Sequence, residues 1–253
     1  MVILRLLQAE WLMTKHTAIR WLIFLVPVLY PMMVLWYFSQ RADQFHIYDG
    51  YFSLIAFGLP VGIGLFSALM SGLEEGAGGF YNLLSALSRP KCYIRKLGFI
   101  ILAMIWIVFG STSILILGMK QILHIEQIQY LIFWQGACWV VGTALILMIF
   151  HLILSYAGGL GLSLTVGSAG TLIAAIVGGT IVGDKVWLYI PWAWSMRMIQ
   201  LPLFYAQPNG FIETEVLKLQ LLHSVPAILI STMIMAMLGL IWFHYFQGRK
   251  SYE

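Results

Sequence analysis

The chain has 253 residues, 61% of them hydrophobic and only 9% charged, with a formal net charge of +4; its mean hydropathy is +0.89 and its pI about 9.1. A soluble domain runs at about 45–50% apolar and about 25% charged, so this much apolar surface exceeds what one globular core can hide, and the chain reads as an all-α polytopic membrane protein. The basic balance does not point to nucleic acid, because no soluble region is present to carry a basic face; bases beside apolar spans anchor to anionic lipid and set orientation.

Residues 1–20 are predicted to form an amphipathic helix along the inner membrane surface. Leu4, Leu7, Trp11, Ala18 and Leu22 follow helical spacing, while Arg5, Gln8, Lys15 and Arg20 are polar. No small-residue cleavage site follows the first apolar run, so that run is expected to stay in the mature protein. A transmembrane domain over 21–246 follows, with six apolar stretches: 21–38, 51–73, 97–119, 130–156, 160–182 and 223–246. Each is roughly 18–27 residues, against about 20 needed at about 1.5 Å rise per residue. The fourth and fifth are joined by little more than Ala157-Gly158-Gly159, which predicts a tight antiparallel hairpin. A short tail, 247–253, ends the chain.

Orientation follows from the bases. With six spans both termini share a side. Placing that side inside puts Arg5, Lys15, Arg20, Arg89, Lys91, Arg95, Lys96, Arg249 and Lys250 on inner segments, against Arg41, Lys120, Lys185, Arg197 and Lys218 outside. Nine against five satisfies the positive-inside rule, so both termini are expected in the cytoplasm. Of the two cysteines, Cys92 is then a reduced cytoplasmic thiol. Cys92 and Cys138 form no C-x-x-C, so neither zinc nor redox chemistry has support.

Charge concentrates between the second and third stretches, over 74–96. Glu74 and Glu75 lead through Gly76 to Gly79 into Phe80, Tyr81, Asn82, Leu83 and Leu84, and then to Ser88-Arg89-Pro90-Lys91 and Arg95-Lys96. In a chain so poor in charge, such an island implies water or a soluble partner. The plainer alternative is a basic anchoring loop.

The outer segment 183–222 crowds Trp187, Tyr189, Trp192, Trp194, Phe204 and Tyr205 among Pro191, Pro202 and Pro208. It is too broken to span. It is expected to lie in the interface as an aromatic belt, or to dip in and return where protein covers its backbone. Its aromatic residues are candidate contacts for an apolar or amphipathic ligand. Gly159, Ser163, Gly167, Gly170, Ala174 and Gly178 form a small-residue stripe on the fifth stretch, and Gly58 and Gly62 a second on the second stretch; both are read as close helix packing.

Several chemistries lack their residues. There is no G-x-x-x-x-G-K-[ST] phosphate loop and no H-E-x-x-H. For an intramembrane protease, Glu74-Glu75 is followed by Gly79 where a paired-glutamate protease places arginine. A serine dyad of Ser163 and His151 lacks the glycine expected after the serine. An ion-coupled carrier would need ionisable groups within the spans, and only His151 lies deep in one.

Together these features resemble the membrane subunit of an ABC-2-type transporter. That resemblance implies an interfacial N-terminal helix, six spans, a cytoplasmic coupling helix between spans two and three, and short non-spanning outer-face helices before span six. The island occupies the coupling position, and Ser88-Arg89-Pro90 fits the family's ending of that segment. Leu6-Leu7-Gln8-Ala9-Glu10-Trp11, Lys15-His16-Thr17, Trp21 and Pro27 are similar to the lantibiotic self-immunity permeases of the G type. The resemblance implies that this chain carries no cofactor, that ATP and Mg sit on a separate ATPase in two copies, and that a second permease, homologous or identical, completes the assembly. It further implies a lantibiotic cargo, the bacterial cytoplasmic membrane as location, and an ATPase groove that receives Phe80, Leu83 and Leu84 while Glu74 and Glu75 pair with its bases.

Overall fold

The computed structural model describes residues 2–39, 43–84, 88–206 and 212–248, with side chains left out for 2–7, 82, 212–218 and 220. Parts of three expected segments thus lie outside the described residues: 85–87 of the charged island, 207–211 of the outer segment, and 249–253 of the tail. Among the described residues all regular structure is helical. Among the described residues, five helices are long and apolar enough to cross a membrane.

The N-terminal stretch is two helices where the spacing predicts one. Helix α1 runs Val2–Met13 and α2 runs Ala18–Tyr37. Between them Thr14 and Thr17 turn their hydroxyls back onto the carbonyls of Trp11 and Thr14, at 2.8 Å each, and His16 adopts a left-handed φ of 63°. Threonine hydroxyls that satisfy local carbonyls compete with helix continuation, so Ala18 and Leu22 belong to α2.

Helix α3 runs Gln44–Gly76 and α5 runs Arg89–Gln121, with the short α4, Tyr81–Leu84, between them. At about 1.5 Å per residue, each of the two long helices reaches about 50 Å, well past a hydrocarbon core of about 30 Å. Asp43 caps α3 by accepting from the Phe45 amide.

Helix α6 is assigned Tyr130–Ile173, but it is not one rod. Gly159 has φ 73° and ψ −160°, outside helical space and open to glycine alone at little cost. His151 Nδ1 lies 3.2 Å from Ser163 Oγ. Twelve residues along a straight helix would separate them by about 18 Å, so the chain doubles back at Gly159. The stretches expected as 130–156 and 160–182 are the two arms of this hairpin. A π-helical turn, Ala174–Gly178, ends the second arm. Short 3-10 turns, then α7 (Pro191–Met198) and α8 (Gln200–Ala206), lead to α9, Ile212–Tyr245.

The most extensive contact joins α3 to α6, and glycines shape it. A Cβ on Gly64 would lie 2.8 Å from the Ser163 carbonyl oxygen and 3.2 Å from the His151 ring. One on Gly167 would meet the Pro60 carbonyl oxygen at 2.9 Å, and one on Gly136 would meet the Tyr48 hydroxyl at 2.6 Å. Gly58 and Gly62, by contrast, would meet nothing within 4 Å; within this chain their face is open and lines an apolar groove between α2, α3 and α5. Gly64→Val therefore should destabilise the bundle by about 1–3 kcal/mol through backbone overpacking, while Gly62→Val should leave it unchanged. Thermal melting of the two purified variants, followed by the loss of monodisperse protein, checks the contrast.

Candidate functional site

Four ionised side chains meet at the end of the bundle where α6 reverses. Glu10 of α1, Glu74 of α3 and Lys96 of α5 are buried, with at most 2% of each exposed. The Lys96 ammonium lies 2.6 Å from Glu74 Oε1 and 3.3 Å from Glu10 Oε2. Arg95 Nε lies 2.5 Å from Glu10 Oε1. The Tyr156 hydroxyl, from the first arm of α6, donates to Glu74 Oε2 at 3.0 Å. Two acids and two bases balance, with Glu10, Glu74 and Lys96 shut away from water and Arg95 at the partly exposed edge. It crosslinks α1, α3, α5 and α6.

The turn between α3 and α4 is attached to this cluster. Gly78 and Gly79 take left-handed φ values of 130° and 59°, and Phe80 follows at 66°. The backbone amide of Gly79 donates to the Glu75 carbonyl at 2.7 Å and that of Phe80 to the Glu74 carbonyl, which closes the end of α3. This turn throws the Phe80 ring inward against Tyr156 and Phe246, with centroids 5.5 and 5.8 Å away. Tyr156 thus touches Glu74 through its hydroxyl and Phe80 through its ring.

This arrangement differs from the docking face drawn from the sequence. Glu74 is paired inside the chain with Lys96, and Phe80 and Leu83 are buried. Leu84 is half-buried, and the Asn82 side chain lies outside the described residues. The outward residues of the segment are Glu75 and Tyr81, the latter 70% exposed. Glu10, Arg95, Lys96 and Tyr156 were missed by motif reasoning. Glu10 falls in the polar pattern of an amphipathic stretch, and Arg95 and Lys96 look like anchoring bases; only the low number of acids in the chain hints that one on α1 needs a partner.

At the opposite end the aromatic segment that follows α6 packs along the bundle. The Ser195 hydroxyl lies 2.8 Å from that of Thr143, about 20 Å along the arm from Tyr130 at helical rise. The Tyr48 hydroxyl donates to the Ile199 carbonyl at 2.7 Å. Arg197, counted only as a loop charge in the sequence, is buried. Its guanidinium donates to the carbonyls of Thr180 at 2.7 Å and Val177 at 3.0 Å, and pairs with Asp184 at 2.8 Å, tying α7 to the unwound end of α6. The six aromatic candidates divide. Trp187 and Trp194 are buried, and Trp194 Nε1 donates to the Leu188 carbonyl at 2.9 Å. Trp192 and Phe204 are half-buried, and Tyr189 and Tyr205 are exposed. Trp192 lies over Gly170, whose absent Cβ would meet its ring at 2.3 Å, and Met196 fills the space beside Gly178. Gly159, Ser163, Gly167, Gly170, Ala174 and Gly178 are all buried.

His151 and Ser163 do meet, but with the polarity reversed for a dyad. Ser163 Oγ is 2.9 Å from the Gly64 carbonyl and 3.2 Å from His151 Nδ1. A carbonyl only accepts, so both bonds form together when the hydroxyl donates to Gly64 and the ring N–H donates to the hydroxyl. A protonated Nδ1 cannot take the serine proton. Among the described residues no three His, Cys, Asp or Glu side chains converge to hold a metal.

Removing Lys96 should expose the cost of this cluster. Lys96→Met leaves two buried carboxylates against one base, and breaking such a set costs about 3–5 kcal/mol. The expected result is a melting temperature lower by on the order of 10 °C, with partial recovery in Lys96→Met combined with Glu74→Gln. Differential scanning fluorimetry of the purified chain in detergent reads both.

The cluster and the turn attached to it fall within the part of the chain that known proteins share. No curated protein and no solved structure matches the sequence. Residues 6–188 match the family model described as ABC-2 family transporter protein. The match runs from α1 through both arms of α6 and takes in Glu10, Glu74, Arg95, Lys96 and Tyr156. With more than half of its length so matched and, among the described residues, five helices long and apolar enough to cross a bilayer, the chain is a multi-pass membrane protein and belongs to the ABC-2 transporter family.

Proposed function

We propose that the chain is the permease subunit of an ATP-driven exporter that removes a lantibiotic from the membrane and so protects its producer. The family match supports the membrane component of an ABC transporter. The cargo is inferred from the N-terminal resemblance over Leu6 to Trp11 and Lys15 to Thr17. ATP and Mg sit on a partner ATPase, and a second permease, homologous or identical, completes the pathway. Counting the two arms of α6 as separate crossings gives six spans in the bacterial cytoplasmic membrane. Both termini then lie in the cytoplasm, and α7 and α8 belong to the outer side.

The observation that carries the reading is the attachment of the α3–α4 turn to the buried ion cluster through Phe80 and Tyr156. In this reading the ATPase meets the outward residues, Glu75 and Tyr81. Phe80 and Leu83 form the inner half of the same corner and pass its displacement into the helices. Because Glu74 is bonded to Lys96 and Tyr156, a movement of the turn reaches α1, α5 and α6 together. A rigid-body tilt between two membrane conformations follows from closure of the ATPase pair.

The outer aromatic residues that remain accessible, Tyr189 and Tyr205, with Trp192 and Phe204 partly so, are the candidate contacts for the departing peptide, through apolar faces and cation–π attraction.

Copurification tests the coupling role. Co-expressed with its partner ATPase, the tagged wild-type chain should retain the ATPase, and Glu75→Lys with Tyr81→Asp should lose it while the variant permease still purifies as a monodisperse protein. Undiminished retention by that variant would overturn the assignment of this corner. An ion-coupled carrier would instead lose transport when the ion gradient is collapsed at constant ATP.

A further inference from the structure

We propose that the groove between α1, α2 and α5 is a binding site for one anionic phospholipid, with an acyl chain along the groove and the phosphate at its basic mouth. The groove has a volume of about 450 Å³, and Trp11, Ile23, Phe24, Phe99, Leu102 and Trp106 line it. Its α5 wall, from Phe99 to Trp106, is about 10 Å long at helical rise, enough for the upper part of an extended acyl chain.

Both walls end in bases at the same end. On α5 the lining face of Phe99, Leu102 and Trp106 continues back through Arg95 and Lys91, one and two turns earlier. On α2 the face of Ile23 and Phe24 continues back to Arg20. Helix α1 closes the third side with Trp11. The Arg20 guanidinium sits 4.4 Å over that indole, and its Nη2 donates to the Trp11 carbonyl at 2.6 Å, so the arginine is held at the mouth. Lys15 lies exposed in the adjoining corner, and Lys91 is exposed on α5.

Charge decides the class of headgroup. Among the described residues no acidic side chain lines the groove. The acid nearest on α1, Glu10, is buried and engaged by Arg95 and Lys96. The mouth is therefore cationic. It repels a basic amphiphile, gives a zwitterionic headgroup no net gain, and favours a phosphodiester with net negative charge, each base near a membrane surface contributing about fivefold in affinity. A free phosphate would leave the apolar walls unused.

The test uses the purified full chain in detergent, incubated with equal amounts of phosphatidylglycerol and phosphatidylcholine of identical acyl chains and read by native mass spectrometry. One phosphatidylglycerol should be retained at least about fivefold over phosphatidylcholine. Lys91→Gln, an exposed change, should lower that preference, and Arg20→Gln with Lys91→Gln should bring it near parity. Leu102→Trp, on an exposed part of the wall, should reduce retention of both lipids. Equal retention by the wild-type chain would overturn the headgroup assignment, and retention unchanged by Leu102→Trp would overturn the groove. Should Arg20→Gln fail to fold, Lys91→Gln and Leu102→Trp alone decide the matter.

Discussion

Two carboxylates and a lysine removed from water are tolerable only while they face one another and a second, partly exposed base, Arg95. That requirement governs the end of the bundle where α6 reverses. Arg95 and Lys96 are neighbours on α5, and Glu10 and Glu74 come from helices on either side. Taking one charge away leaves an uncompensated ion in a medium that solvates it poorly. The four helices therefore hold a common register at this end whatever happens at the other. The turn of Gly78, Gly79 and Phe80 and the hydroxyl of Tyr156 are placed by the same set of contacts.

The opposite end is assembled differently. There the forces are close approach and backbone capping. Gly136 admits Tyr48 and Phe52, Gly170 admits Trp192, and Gly178 admits Met196. Arg197 satisfies carbonyls that the π-helical ending of α6 leaves over. These contacts are short-range and mostly uncharged, so they can be exchanged for others at modest cost, whereas the ion cluster cannot. The two ends of the bundle are thus held by two kinds of bonding, charge pairing at one and close packing with backbone capping at the other.

The apolar stretches and the hairpin at Gly159 were legible in the sequence because each rests on a local signal: length and hydropathy for the helices, and a glycine pair between two apolar runs for the reversal. The ion cluster was not. Glu10 and Glu74 are far apart in sequence, and periodicity carries no information on which distant acid a buried base will find. The small-residue stripes show the same limit. Spacing alone selected Gly58 and Gly62, which face an open groove, and passed over Gly64, which lies against α6. The break between α1 and α2 was obscured because Thr14 and Thr17 fit a helical pattern until their hydroxyls are seen on the backbone. The segment 183–222 was read as either an interfacial belt or an inward dip; the bond between Ser195 and Thr143 shows that its α7 part packs against the first arm of α6.

The reversal at Gly159 also bears on how the chain is made. Its two arms are separated by almost no connecting residues, and Ser163 of the second is bonded to His151 of the first. The first arm thus has no loop behind it at which synthesis could leave it inserted alone. The two arms are therefore built to enter the membrane together, as one hairpin closed by the glycine turn. Lengthening that turn would uncouple the arms and give the first a residence time of its own in the bilayer, before α3 and the second arm can cover its polar face of His151 and Ser155.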